Sequence, residues 1–245
     1  MFITDKATQE RLQKAGITLP KFSQPVYAQF DERLEPINKP AKAVTINDAQ
    51  AWKLIQEKTK LFDRLQHQKA KVPLNAPLSR FGGNRDFDYE LFEQYFGKLQ
   101  DLKGRPIIVK NGNGSSMIED YSSLLEFLVG ASGDPMLFQM PFDEWKTAEM
   151  TALPKLNKKP MSVQGKVVEN GILRNTISRD NPNYKNITDA CEAILEFTGA
   201  SYATIELRYS EDNHVITDVD TRLRLEDMPA IEAYANRLIG QLKKK

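Results

Sequence analysis

The sequence lacks the features that mark several common protein classes. It contains a single cysteine in 245 residues, so no internal disulfide framework can form, and a reducing compartment fits it. Its formal net charge of +1 provides no global field for nucleic acid or a membrane surface. No apolar run approaches the roughly 20 residues that cross a bilayer, and the N-terminus lacks a signal-peptide core. We therefore expect a soluble, cytoplasmic protein with no membrane or nucleic-acid partner.

The remaining composition is that of a globular protein. Hydrophobic residues make up 40% of the chain, which is enough for one large or two small domains with a real core. The cysteine, Cys191, lies in an apolar helical pattern, so we expect a buried structural thiol rather than a nucleophile. His67 and His214 have no second ligand at a zinc-binding spacing, so the sequence predicts no zinc site.

Two alternating segments near the C-terminus form the most informative feature. Residues 203–209 and 216–222 alternate apolar and polar side chains around a turn-forming stretch, which predicts a β-hairpin. One face of the hairpin would carry three carboxylates and two guanidiniums: Glu206, Arg208, Asp218, Asp220 and Arg222. Repulsion among the carboxylates favours a bound cation, and oxygen ligands suit Mg²⁺. The alternative interpretation is a solvated, charged surface.

A glycine-rich segment follows a predicted strand further upstream. The strand, 105–110, ends in Lys110, and residues 111–116 contain two glycines and two serines. Such residues let backbone N–H groups turn inward around an anion, and a lysine adds a point charge for phosphate. An ordinary turn is the alternative.

Taken together, the motifs resemble the ATP-grasp superfamily over residues 56–226. The segment 57–65 and Val72-Pro73 are similar to the family's nucleotide-contacting lysine helix and the strand after it. The glycine-rich segment is most similar to the phosphate loop of D-alanine:D-alanine ligases. Residues 135–140 occupy the place of the strand that passes the adenine, and the acidic hairpin matches the metal-binding strands.

The resemblance implies ATP and Mg²⁺ as cofactors and a specific set of ligand-binding residues. The nucleotide-binding residues would be Lys60, Lys110, Gly114, Ser115, Ser116, Gln139 and Met140. The metal ligands would be Glu206, Asp218 and Asp220. The residues that steady the reacting carboxylate or acylphosphate would be Arg174, Arg208 and Arg222.

The resemblance also implies a fold and a reaction. The fold would be α+β, with two ATP-grasp subdomains at 51–135 and 136–245 that clasp a nucleotide and a shortened N-terminal region at 1–50. Proteins of this type activate a carboxylate as an acylphosphate with ATP, and an amine or thiol then attacks it. The expected partners are therefore ATP, a small-molecule or peptide carboxylate and an amine or thiol acceptor. A homo-oligomer or a partner protein is left open, as is the identity of both substrates.

The chain departs from the family pattern in four places, one of which is Met117, where a second loop glycine is common. Asp218-x-Asp220 replaces the usual Glu-x-Asn, which keeps oxygen ligands but adds negative charge. Gln139 stands where an acidic residue is common, and the N-terminal region is much shorter than the usual substrate-binding domain. These departures support an alternative function, a non-catalytic ATP-grasp-like module that binds nucleotide or is purely structural.

Two local patterns predict further secondary structure. Asn47 followed by Gln50 has the pattern of a helix N-cap, which predicts one helix through about Leu65. Segments 162–168 and 171–178 alternate around an Asn-Gly pair, which predicts a hairpin between them.

Overall fold

The structure of the chain is a computed structural model. It describes residues 1–34, 40, 42–67, 71–111, 114–140, 145–154, 161–163, 166–168, 172–175 and 177–243. The strands are β1 (Phe2–Thr4), β2 (Val26–Ala28), β3 (Val44–Ile46), β4 (Asn75–Pro77), β5 (Ile107–Asn111), β6 (Gly114–Ile118), β7 (Met136–Gln139), β8 (Lys146–Ala152), β9 (Met161–Val163), β10 (Lys166–Val168), β11 (Ile172–Asn175), β12 (Ala203–Tyr209) and β13 (His214–Asp220). The helices are α1 (Lys6–Lys14), α2 (Ala49–Gln56), α3 (Lys58–His67), α4 (Tyr89–Phe96), α5 (Tyr121–Gly130), α6 (Tyr184–Thr198) and α7 (Met228–Leu242).

The chain divides into two compact units. The first unit comprises Met1–Gln56, Ala148–Glu206 and Asp218–Lys245, and the second comprises Glu57–Thr147 and Leu207–Thr217. The predicted regions 1–50, 51–135 and 136–245 describe family subdomains, and they stay a prediction.

In the first unit, the N-terminal residues belong to the main core. Strands β1, β2 and β3 pair in parallel in that order, and α1 makes the connection from β1 to β2. Phe30, which follows β2, packs edge-to-face on Tyr202 with ring centroids 5.6 Å apart. Both residues share a buried cluster with Leu223 and with Ile231 of α7. The short N-terminal region is thus built into the core that supports the C-terminal helix.

The prediction of one helix over 47–65 is wrong, because the helical region begins at Ala49 and consists of two helices, α2 and α3. Asp48 caps α2, because its Oδ1 accepts hydrogen bonds from the N–H groups of Gln50 and Ala51, both at 2.9 Å. Asn47 instead has a left-handed backbone, with φ of 49°, which cannot begin a helix. The helix is interrupted at Glu57, so α2 packs within the first unit and α3 within the second.

A four-stranded sheet with the order β11-β8-β12-β13 confirms the acidic hairpin. The turn between β12 and β13 is closed by a 2.9 Å bond from the Ser210 N–H to the Asn213 carbonyl. The predicted Asn-Gly hairpin is wrong in its pairing, because β10 pairs with β9, and β11 pairs with β8. Its turn, 169–171, lies outside the described residues. The C-terminal half of β8 is buried, and pairing with this core strand outweighs the local turn signal.

The second unit is built on an antiparallel sheet with the order β4-β7-β5-β6. Phe92 and Phe96 of α4 and Leu124 of α5 share a buried cluster with Ile107 and Val109 of β5. Alternate residues of β5 therefore face these helices, as expected for a sheet covered on one side.

Two expectations from composition can be compared with the structure. Cys191 is buried in α6, as predicted, and burial raises the pKa of its thiol to about 12, which keeps it protonated and unreactive. Among the described residues, no helix combines the length and the apolar character that crossing a bilayer requires.

His214 makes the stability of the fold sensitive to acid. Its side chain is buried at the start of β13, and desolvation, with a smaller effect of the Lys71 charge, lowers its pKa to about 4 from 6.5. Between these values the unfolded chain binds a proton that the folded chain does not, so stability falls as the pH drops from 6.5 towards 4. Between pH 7 and pH 5, the free energy of unfolding measured with urea should fall by about 2 kcal/mol more in wild type than in His214→Gln. Lys71→Gln should remove a smaller part of this acid sensitivity, and equal losses in wild type and His214→Gln would contradict the assignment.

Candidate functional site

A cavity of about 400 Å³ lies in the first unit, beside the acidic hairpin. Its lining residues are Arg11, Thr204, Glu206, Asp218, Asp220, Arg222, Leu223 and Arg224. The period-two alternation explains most of this list, since side chains two residues apart on a strand share a face. The structure thus brings together the three predicted metal ligands, Glu206, Asp218 and Asp220, which we call the acidic triplet.

The three arginines of the cavity are each held by a carboxylate outside the acidic triplet. Arg11 Nη1 lies 2.5 Å from Asp31 Oδ2, and Arg222 Nε lies 3.5 Å from Asp31 Oδ1. Arg224 forms an ion pair with Glu149 of β8. Asp31 therefore forms ion pairs with two guanidiniums, those of Arg11 and Arg222.

The N-terminal segment fixes the position of Arg11. Asp5 caps α1 by accepting from the Thr8 N–H at 2.9 Å, and its other oxygen accepts from the Phe30 N–H at 2.9 Å. This links the start of α1 to the end of β2, next to Asp31. Thr8 Oγ1 donates to Asp31 at 3.0 Å, so helix and carboxylate are held in register.

Arg224 is positioned through a buried tyrosine. The Tyr202 hydroxyl donates to Asp227 Oδ2 at 2.9 Å and accepts from the Arg224 N–H at 3.0 Å. Burial, together with the Asp227 charge, raises the pKa of Tyr202, so the hydroxyl stays a donor. The backbone at Arg224 is therefore fixed by the core of the unit.

The charges around the cavity favour a cation. Among the described residues, the three guanidiniums of Arg11, Arg222 and Arg224 accompany five carboxylates, counting Asp31 and Glu149 with the acidic triplet. Carboxylate oxygens are the ligands that Mg²⁺ prefers, so the donor set fits this ion. In the described part of the chain, however, no three His, Cys, Asp or Glu side chains are already grouped around one metal position.

The predicted phosphate-binding residues lie in the second unit, on the hairpin formed by β5 and β6. Gly114, Ser115 and Ser116 are strand residues of β6 rather than loop residues, with Ser115 opposite Lys110. Residues 112 and 113, between the strands, lie outside the described residues. Lys110 Nζ donates to the Thr217 carbonyl at 3.0 Å and lies 5.8 Å from the Phe138 ring centroid, so this lysine also has a structural role.

The remaining nucleotide candidates also have contacts within the chain. The buried Gln139 donates from Nε2 to the Phe96 carbonyl at 2.5 Å, and the Met140 N–H donates to the Pro106 carbonyl at 2.9 Å. Lys60 is exposed on α3, with Nζ 2.7 Å from Glu57 Oε2.

Of the predicted arginines, Arg208 is not among the described residues that line the cavity, and two arginines that do line it, Arg11 and Arg224, were not predicted. Arg208 is half-buried on β12, and Arg174 lies on β11 with its backbone opposite Thr151. Arg224 could have been found, because it continues the alternation from Arg222. No sequence signal pointed to Arg11, which is distant in the chain and reaches the cavity only through the packing of α1.

Comparisons with known proteins give structural matches only. No family model and no curated protein matches the sequence. The RimK domain protein ATP-grasp from Sphaerobacter thermophilus matches with a TM-score of 0.56 and 12% identity, over 90% of this chain and 81% of that one. D-alanine–D-alanine ligase from Bacillus anthracis complexed with ATP matches with a TM-score of 0.56 and 12% identity, over 99% of this chain and 78% of that one.

In two further matches this chain covers less than two thirds of the matched protein. N5-carboxyaminoimidazole ribonucleotide synthetase from Thermotoga maritima matches with a TM-score of 0.56 and 15% identity, over 98% of this chain but 62% of that one. The ATP-grasp ligase PsnB, solved with minimal precursor, Mg and ADP, matches with a TM-score of 0.52 and 14% identity, and this chain spans 63% of it. At such identities the likeness concerns the fold.

Proposed function

We propose that this chain, which has the α+β ATP-grasp fold implied by its sequence motifs, is an ATP- and Mg²⁺-dependent ligase that activates a carboxylate as an acylphosphate for attack by an amine or thiol. The observation that carries the proposal is the cavity of the first unit, which is lined by the acidic triplet and three arginines. Carboxylates that bind a cation and guanidiniums that bind oxyanions both stabilise the charge that develops during phosphoryl transfer to a carboxylate.

In this proposal the acidic triplet holds Mg²⁺, which when bound offsets negative charge on the phosphates. Arg222 is 64% exposed and Arg224 43% exposed, so both can reach a substrate oxyanion while staying paired to the protein. Glu206 is exposed, and Asp218 and Asp220 are half-buried, so the triplet is accessible from solvent.

The other assignments remain proposals. Lys60, Lys110, Gly114, Ser115, Ser116, Gln139 and Met140 are proposed to bind ATP, and Arg174 and Arg208 to stabilise the reacting group. The carboxylate is proposed to be a small molecule or a peptide, since ligases of similar fold include a D-alanine–D-alanine ligase and one solved with a precursor peptide. A cytoplasmic location and a homo-oligomer or partner protein also stay predictions.

A non-catalytic module that binds nucleotide is the second candidate. It is favoured by Asp218-x-Asp220 in place of Glu-x-Asn and by the absence, within the described residues, of a ready-made group of three metal ligands. Such a module would retain the fold and bind ATP without consuming it.

Mg-ATP should stabilise the fold. A ligand present at about 100 times its Kd adds about 2.7 kcal/mol, which for a chain of this size raises Tm by about 5 °C or more. Thermal melts with Mg-ATP, with Mg²⁺ alone and with ATP plus EDTA measure this, and a coupled assay for ADP release measures turnover. A shift with ADP release supports the ligase, and a shift without ADP release supports the module. No shift with millimolar Mg-ATP would contradict both.

A further inference from the structure

The guanidinium of Arg222 lies beside the acidic triplet but is paired elsewhere. Arg222 follows Asp220 by two residues, and its backbone N–H donates to Asp220 Oδ1 at 3.1 Å. Its side chain instead approaches Asp31, with Nε 3.5 Å from Oδ1, and Asp31 does not line the cavity. The positive charge closest in sequence to the triplet is therefore paired with a carboxylate outside it.

Asp31 closes a ring of contacts that fixes this arrangement. Arg11 bridges the ring, with Nη1 2.5 Å from Asp31 Oδ2 and Nη2 2.7 Å from the Leu223 carbonyl. Leu223 follows Arg222 directly, so Arg11, Asp31, Arg222 and Leu223 form a closed circuit. The Asp31 side chain is only 14% exposed and also accepts a hydrogen bond from Thr8. These contacts hold Asp31 more firmly than the other members of the ring.

We propose that Asp31 is a positioning residue that keeps the Arg222 guanidinium off the acidic triplet, so that the triplet can bind a divalent cation. This inference rests on the proposed function and deepens it by assigning a role to the N-terminal segment. Without the Asp31 charge both arginines lose their ion-pair partner, but Arg11 keeps its bond to the Leu223 carbonyl, whereas Arg222 has no other side-chain bond among the described residues to hold it in place. Asp220, which already accepts from the Arg222 N–H, then becomes an alternative partner, and a guanidinium there would compete with a metal ion.

The test uses Mn²⁺ alone as the probe, with free Mn²⁺ measured by electron paramagnetic resonance and no nucleotide present. Asp31→Asn should weaken Mn²⁺ binding about fivefold, the effect of one released, largely exposed guanidinium. Glu32→Gln is the matched control. It removes the same charge from the neighbouring residue, whose side chain is exposed, and should change Mn²⁺ binding less than twofold. Asp31→Glu keeps the charge and should restore binding close to that of wild type.

The decisive comparison is a double-mutant cycle with Arg222→Gln. If Asp31 acts by holding Arg222, adding Asp31→Asn to Arg222→Gln should have less than a twofold effect. An undiminished fivefold loss in that background would overturn the proposal. Arg222→Gln by itself tests it even if Asp31→Asn does not fold. If Asp31 already holds the Arg222 guanidinium, Arg222→Gln should change the Mn²⁺ affinity less than twofold. Fivefold tighter binding in Arg222→Gln would mean that Arg222 competes with the metal in wild type, and it would contradict the proposal.

Failure here can be told apart from failure of the proposed function. Wild type that binds no Mn²⁺ would overturn the role of Asp31, whereas ATP consumption, measured separately, decides whether the chain is a ligase.

Discussion

Asp218→Asn is expected to lower ATP consumption by about 100-fold, the loss of a few kcal/mol of charge stabilisation at a metal site. The metal-free variant should be as stable as wild type or more stable, because one of three mutually repelling carboxylates is removed from the cavity. The local geometry can be kept, since Asp218 Oδ1 accepts from the Val219 N–H at 2.8 Å and an amide oxygen can do the same.

Three measurements on Asp218→Asn separate a metal site from a solvated charged face. They are the Tm without metal, the rise in Tm with Mg-ATP and the rate of ADP release. Asp212→Asn, in the exposed turn of the same hairpin, controls for the change in net charge and should behave as wild type in all three. Full turnover in Asp218→Asn would remove the metal site and most of the ligase proposal.

Asn47→Ala is expected to destabilise the fold by about 3 kcal/mol, through three lost hydrogen bonds and a backbone that alanine tolerates poorly. The Asn47 amide donates to the Tyr202 carbonyl at 2.9 Å, and its oxygen accepts from the N–H groups of Ser201 and Tyr202 at 2.8 and 3.0 Å. The side chain is buried, so its removal leaves these backbone groups without their hydrogen-bond partner inside the fold.

Urea unfolding of two further variants separates the contributions. Asn47→Gly tolerates the positive φ but loses the hydrogen bonds, so it should cost less than Asn47→Ala. Asp48→Ala removes only the cap of α2 and should cost about 1 kcal/mol. If Asn47→Ala were no more destabilising than Asp48→Ala, the link from Asn47 to β12 would not matter for stability.

The candidate site could be predicted where it depends on local periodicity. The acidic triplet was found because side chains two residues apart on a strand share a face, whatever the rest of the fold does. The partner of each strand was harder to predict. The Asn-Gly signal at 170–171 is local, but β11 pairs with β8, since pairing depends on which strand is available and buried.

Residues that act through distant contacts left no sequence signal. Asp31 and Arg222 are far apart in the chain, and neither lies in a motif that points to the other. Asn47 was predicted to be a helix cap because a helix follows it in the sequence. Its side chain instead donates a hydrogen bond to the backbone carbonyl of Tyr202.

By itself the sequence determined the acidic hairpin and the shared face of Glu206, Asp218 and Asp220, which follow from strand alternation and turn-forming residues. The α+β class and the ATP-grasp fold were implied by the family resemblance of its motifs. Only the tertiary structure decided that the N-terminal residues complete the cavity with Arg11, and that Asp31 and Glu149 hold its arginines. The reason is physical: an ion pair between residues distant in sequence exists only after the hydrophobic core has packed the elements that carry them, and that core joins α7 to the N-terminal sheet.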